Sequence, residues 1–365
     1  GDITVSSAIT TTGTGSLTLS AYRNITVSSA ITLQGGSLTL RTNNSGSGTG
    51  SIAVTGNIAT NGGNITMGGG TGTISAGSGY AIGNDPVNAY GIYISSVVAA
   101  AGGNIIMNGT EYSNPSTIGT QFDAGVSLYT SGNISTTGAG TIAISGNSAV
   151  TTNGYQAAVS IQGVMSVQNG DLTVTGINTG SGVFGNMNGI SISGAINSTG
   201  HGRLILNGTN NSTCGATGLG IRFLSLASMT SANANILLNG TSSTAQGVSF
   251  TYDNTITLNG AADLYVTGTG VGGDIFKAAG SAGISTIIGN TSANDVIFTG
   301  NSFVSGVTEY LSINTLGAVT FQNRTVGTTV GVGSGTGTLN IADSVLSHIT
   351  ASNYIIGSVT SGDVT

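Results

Sequence analysis

The chain lacks most of what marks an ordinary globular enzyme. Its 365 residues include no tryptophan, one cysteine and two prolines, and only 5% are charged. A single cysteine, Cys214, excludes a disulfide within the chain, so stability has to come from packing. A small loop residue is the reading taken for it, not a reactive thiol. Glu, Lys and Arg are scarce, which excludes a helical bundle. Six basic residues against twelve acidic ones leave a net charge of −6 with no basic stripe, which argues against a nucleic-acid partner and against anionic membrane surfaces. No run of 18 apolar residues occurs, so membrane insertion as a helix is not expected. Disorder is excluded as well, because 38% of residues are hydrophobic and mean hydropathy is +0.28.

What is abundant is glycine, at 63 residues, together with Ser, Thr, Asn and small or β-branched apolar residues. Thr, Val and Ile alternate with small polar residues between Gly and Asn, the pattern of many short strands and tight turns. Internal repeats fix the architecture. Ile3-Thr4-Val5-Ser6-Ser7-Ala8-Ile9-Thr10 returns as Ile25-Thr26-Val27-Ser28-Ser29-Ala30-Ile31-Thr32, and Leu17-Thr18-Leu19 returns as Leu38-Thr39-Leu40. Ile52-Ala53-Val54 and Ile65-Thr66-Met67 form a looser third copy. Further on, Ile92-Tyr93-Ile94, Val126-Ser127-Leu128, Val159-Ser160-Ile161, Ile190-Ser191-Ile192, Ile221-Arg222-Phe223 and Val248-Ser249-Phe250 are equivalent strand starts. Each is followed by an apolar-x-apolar-x-Gly strand, such as Leu204-Ile205-Leu206-Asn207-Gly208 or Ile236-Leu237-Leu238-Asn239-Gly240.

A strand with apolar residues at i and i+2 buries one face only, and is stable only when stacked on its equivalent in the next coil. The fold expected is all-β, a right-handed parallel β-helix (β-solenoid) of roughly 12–14 coils with two short insertion loops. Residues 1–365 form a single β-helix segment: short coils over 1–75, longer coils over 76–268 with insertions at 76–90 and 110–125, irregular coils over 269–310 and regular coils over 311–365. Gly and Asn at the corners are expected to supply positive φ. Asn108, Asn207, Asn239 and Asn259 are expected to form one hydrogen-bonded corner ladder. The two insertions carry Pro86 and Pro115, about one coil apart, and should emerge side by side. Tyr80, Asp85, Tyr90, Glu111, Tyr112, Phe122 and Asp123 lie in them and form the candidate ligand-binding set, suited to stacking on and hydrogen-bonding a glycan. The chain opens with Gly1-Asp2-Ile3-Thr4, without a leader segment, and closes with the similar Gly362-Asp363-Val364-Thr365. The expectation is a piece of a longer rod, partnered by flanking coils of the same polypeptide or by end-to-end self-association.

The opening coils and the stretch from Val330 through Gly337-Thr338-Leu339-Asn340-Ile341 to Ile356-Gly357-Ser358 resemble the shaft repeats of filamentous-haemagglutinin-type exoproteins, large bacterial adhesins exported by two-partner secretion. The resemblance covers most of the chain as repeat style. It implies a secreted or cell-surface fibre for adhesion, extracellular, with host or environmental glycans as partners. The Asn-Pro-Asn motifs of that family's secretion domain are missing. The prolines stand instead in Asn84-Asp85-Pro86-Val87 and Asn114-Pro115-Ser116, as expected of shaft.

Parallel β-helices also host polysaccharide-cleaving enzymes, which need two or three carboxylates within about 5–10 Å of one another. Asp253 and Asp263 share a coil on different faces, Asp274 and Asp295 are candidates to stack, and Glu111 and Asp123 share an insertion. None has a Lys or His partner in sequence, Lys277 being the only lysine. Asp2 and Asp363 suit turn capping. His201 and His348 form no spaced metal motif, and no phosphate loop or calcium-binding nonapeptide occurs. No catalytic residue, metal or cofactor is therefore expected, and a polysaccharide-binding or polysaccharide-degrading β-helix is the alternative. A Thr-rich outer surface also raises an ice-binding solenoid. Outward positions that mix Ser, Thr, Ala, Tyr and Arg count against one.

Overall fold

The computed structural model describes residues 1–46, 48–85, 89–113, 124–151, 156–181, 187–213, 218–251, 253–277, 284–289, 293–304 and 310–365. These build a parallel β-helix of three sheets. The strands beginning at Ile3–Val5, Ile25–Val27 and Ile52–Val54 found the first sheet, of 11 strands. The second sheet has 12 strands and starts at Ile9–Thr10, and the third has 13 and starts at Leu17–Ser20. Each coil contributes one strand to each of these sheets in turn, pairing in parallel with its equivalent one coil away; the thirteenth strand of the third sheet, Ala81–Ile82, lies off that path. Eleven strands in the shortest sheet mean eleven complete coils, with a twelfth adding Ile349–Thr350 and Asn353–Ile356 to the other two sheets. At a strand spacing of about 4.8 Å, the rod is roughly 50 Å long.

The registers read from the repeats are those of the structure. Ile3 pairs with Ile25 and Leu17 with Leu38. Ile92, Val126, Val159, Ile190, Ile221 and Val248 form one column. Alternation then explains the interior: Ile25, Ile52, Ile92, Ile190 and Ile221 of the first sheet, and Leu38, Ile65, Ile105, Leu172, Leu204 and Leu264 of the third, are fully buried. All belong to one hydrophobic cluster running the length of the rod. Where large rings enter it they stack along the axis: Phe223 on Phe250 at 4.9 Å, and Phe298 on Phe321 at 5.2 Å.

Coil length varies mainly at one corner. Through the first nine coils the connections into the second and third sheets stay short. The connection from the third sheet back to the first runs from residues 21–24 in the first coil to residues 70–91 in the third and 111–123 in the fourth. Insertions there leave the sheet registers undisturbed. After Gly273–Lys277 and Phe303–Val304 the lengthening moves to the first-to-second-sheet corner, residues 278–284 and 305–310. That shift is why the sequence rhythm blurs between 269 and 310 while the registers persist: Ile256 pairs with Ile287, and Ile287 with Ile313.

Corner Gly and Asn supply positive φ as expected, at Gly35, Asn61 and Gly62 for example. The glycine ending each apolar-x-apolar-x-Gly strand is there for another reason. The signature glycines are required by close approach. A Cβ on Gly176, Gly208 or Gly240 would stand 2.1–2.2 Å from the backbone oxygen of Gly189, Gly220 or Gly247, where the chain re-enters the first sheet. The 311–365 stretch, expected to be regular, is not wholly so. Val330–Val332 and Leu339–Ile341 pair with each other, and a short helix, Asp343–Leu346, follows before the second sheet resumes. The closing Asp363-Val364-Thr365 lies parallel to Val330–Val332, with Val330 N donating to Asp363 O and Thr365 N to Val330 O, both at 2.9 Å.

Candidate functional site

The two insertions do meet. Both leave the third-to-first-sheet corner of successive coils, and Tyr112 N donates to Ala89 O at 2.7 Å. The first is anchored by the short strand Ala81–Ile82, which pairs with Gly109–Thr110. Asn108, fully buried, holds the turn below it: its amide nitrogen donates to Ser75 O and Ser78 O, both at 2.7 Å, and its oxygen accepts from Gly77 N.

Of the expected ligand set, Asp85, Tyr90, Tyr80 and Tyr112 are partly exposed at this corner. Glu111 is buried, 2% exposed, and its backbone N–H donates to Asn147 O, so it lies beneath the surface. Phe122 and Asp123 lie outside the described residues. The corner gathers two tyrosines that the loop-based reading passed over. Tyr93, on the outward face of Ile92–Ile94, has its ring 5.1 Å from that of Tyr90 and 6.1 Å from that of Tyr129, one coil on. Burial, then the neighbouring Tyr93 and the Asp85 charge, push the Tyr90 hydroxyl above its ordinary pKa. The result is a run of three tilted rings, Tyr90 and Tyr93 in one coil and Tyr129 in the next, with the Asp85 charge acting on it. The available signal was positional: Tyr93 is the outward residue of a strand already identified as repeating.

The expected asparagine ladder is not continuous. Asn108 shares a column with Asn207 and Asn239, but Ser145 and Thr175 stand between. Asn239 Nδ2 donates to Asn207 Oδ1 at 2.9 Å. Asn259 belongs to a different corner, where it donates from its backbone to Ser231 O. The long polar ladder lies instead at the residue preceding each third-sheet strand. There a side-chain oxygen of one coil accepts the backbone N–H of the next: Ser16 from Ser37, Ser37 from Asn64, Asn64 from Asn104 and Asn104 from Thr141. Further along, Asp171 accepts from Arg203, Asn235 from Asp263, Asp263 from Asp295 and Asp295 from Ala318. Each bond satisfies a corner donor that the sheet ladder leaves out.

This ladder also corrects the placing of the acids. Asp295 stacks on Asp263, not on Asp274. Asp274 is buried near the start of the first-sheet strand Gly273–Lys277, accepts from Gly270 N and Asn301 N, and has Arg324 at 3.8 Å. Asp253 and Asp263 do sit at different corners, and Asp253 accepts from Ile284 N. The His201 backbone N–H donates to Asn169 Oδ1 of the preceding coil, and the His348 ring stacks on Tyr310. Among the described residues no cluster of three metal-binding side chains occurs, and no helix is long and apolar enough to cross a membrane.

Asp2, expected to cap its own turn, bridges the first two coils instead. Its carboxylate takes both Arg23 Nε and Nη2, at 2.9 and 2.7 Å, and the Asn24 N–H at 3.0 Å. Those bonds, the Arg23 bond foremost, lower its pKa from 3.8 to about 2. The folded value is depressed, so the stabilisation is present above the ordinary carboxyl range and is lost as pH falls from 3.8 towards 2. In Arg23→Ala the Asp2 carboxyl, followed by NMR titration, should move back up towards 3.8. An unmoved titration would mean that the guanidinium is not its main partner.

Comparisons with family models, with curated proteins and with solved structures return no match.

Proposed function

We propose that the chain is structural shaft of a bacterial cell-surface or secreted adhesin or fibre, of the filamentous-haemagglutinin type, giving rigid reach and multivalent contact. The observation that carries this reading is the uninterrupted core: three continuous parallel sheets share one hydrophobic cluster from the first coil to the last. A body built this way bends little, because bending must strain all three sheets. Insertions confined mainly to one corner give such a shaft a single decorated flank, and the Tyr90–Tyr93–Tyr129 run, with the Asp85 charge acting on it, is the contact surface proposed there. Its partners are other coils of the same kind and extracellular glycans.

The reading is non-catalytic. It is supported by the engagement of the acids, since Asp2, Asp171, Asp263, Asp274 and Asp295 each accept backbone hydrogen bonds from the next coil. The alternative, a polysaccharide-binding or polysaccharide-degrading protein, is favoured by the same tyrosine run. Beads coated with the chain should adhere to glycan-bearing cells, and Tyr93→Ala with Tyr129→Ala should abolish adhesion while leaving the circular dichroism spectrum unchanged. Adhesion untouched by both changes sinks the tyrosine surface. Release of reducing ends from a polysaccharide panel would replace the shaft reading with the enzyme one.

A further inference from the structure

Over the whole rod, outward positions mix Ser, Thr and Ala with Tyr and Arg. The structure sorts that mixture by sheet. Tyr93 and Arg222 are on the first sheet, and Arg41 and Tyr265 on the third. The second sheet has none: across its 12 strands there is no charged and no aromatic residue. Its outward positions are uncharged and mostly small. One column includes Thr10, Thr32, Ala99, Ser135, Thr230 and Thr257, interrupted by Asn197, Ile288 and Asn314, and the other includes Val164, Ala195, Ser228 and Thr255 after Val97 and Asn133. These side chains are half-buried or exposed, whereas the residues between them, such as Val98, Ile134, Met165 and Ile196, are fully buried. Strand pairs along this face match residue for residue, as in Ser228–Ser231 on Thr255–Leu258.

We propose that the outer face of the second sheet is an ice-binding surface, its ligand the ordered water of a crystal plane. Three observations select this occupant. First, charge: the chain has 18 charged residues, 6 basic and 12 acidic, and places none on these strands. A nucleic acid, an anionic lipid or a charged peptide would be met by opposite charge, and an uncharged lattice is met by none. Second, spacing: the columns repeat about every 4.8 Å along the rod and about 6.8 Å along each strand, a two-dimensional array close to the oxygen spacings of ice planes. Threonine and serine offer hydroxyls on that grid, and Ala, Val and the threonine methyls keep neighbouring water from being pulled into ionic hydration shells. Third, area: two columns over the rod cover roughly 50 by 10 Å, about 500 Å², short of the roughly 800 Å² per partner of a stable protein complex. That size disfavours a second copy of the chain and does not penalise a crystal, which has no translational entropy to lose. The proposal is independent of the tyrosine surface on the other flank.

The test uses the whole chain in a nanolitre osmometer. Expected are faceted ice crystals and a gap between melting and freezing points. Thr230→Lys with Thr257→Lys, neighbours in one column of the second sheet, should abolish both. The matched pair Thr267→Lys with Thr299→Lys on the third sheet should leave them unchanged. Circular dichroism establishes that both variants are folded. Rounded crystals with no gap from the folded wild-type chain overturn the proposal, as does equal loss from both pairs. Sedimentation with crystalline cellulose without any effect on ice would also overturn it.

Discussion

Gly240→Ala is expected to cost about 3 kcal/mol or more, an effect normally reserved for large core changes. The new methyl would stand 2.1 Å from Gly247 O and 2.6 Å from Val248 Cγ2. The first of these is backbone that already pairs in the first sheet, so relief requires the third-to-first corner to open. Because the same glycine recurs at Gly109, Gly146, Gly176, Gly208 and Gly268, each with a comparable approach, one substitution cannot be absorbed by sliding the coil. Gly13→Ala is the control: no heavy atom lies within 4 Å of its would-be Cβ, and it should be neutral. Unfolding midpoints in urea compare the two. Amide hydrogen exchange should place the loss at the corner between Ile236–Ser242 and Gln246–Phe250, since a repeat array need not unfold in one step. Equal midpoints for the two variants would refute the steric account of the signature glycine.

Phe321→Ala should be comparably severe, about 3–5 kcal/mol. Phe321 is 1% exposed, stacks on Phe298 at 5.2 Å and meets Phe303 edge-on at 4.9 Å. These three rings join the tenth and eleventh coils, where the core is widest in aromatic volume, and removal leaves a cavity between layers that rigid sheets cannot collapse. Phe321→Leu keeps much of the volume and should cost markedly less. A thermal unfolding series in which the two variants coincide would show that the ring stack is not what holds these coils.

The strands were legible because their rule is local: apolar at i and i+2, then glycine or asparagine. Ile3 on Ile25 and Leu204 on Ile236 follow from that rule alone. Functional geometry was less legible, for two reasons. Corner contacts depend on the full length of a coil, not on its strands. Asp274 and Asp295, one short coil apart in number, do not stack because the coil they share runs 28 residues, from Ile275 to its partner Phe303, which leaves Asp274 on the first sheet and Asp295 just before the third. Contacts along the rod axis also join residues from coils whose lengths differ, so Tyr93 and Tyr129 meet at a separation unlike that of the first repeats. The Ser16–Ser37–Asn64–Asn104 ladder was readable in principle, since the residue before each third-sheet strand is repeatedly Ser, Asn, Thr or Asp. Asn207 and Asn239, expected to form the ladder, stand further along the same strands.

The central claim is that coils stack in one continuous register, including the region where the rhythm is lost. Engineered cysteine pairs test it most directly, in a Cys214→Ser background. Thr267 pairs with Thr299, and Thr299 with Gln322, each one coil apart on the outer face of the third sheet. Adjacent parallel positions fall within the Cα separation of about 4.4–6.8 Å that a disulfide spans. Thr267→Cys with Thr299→Cys, and Thr299→Cys with Gln322→Cys, should each form an intramolecular disulfide on mild oxidation. Thr267→Cys with Gln322→Cys, two coils apart, should not. Cross-linking of that third pair, or failure of the first two, would contradict a continuous stack.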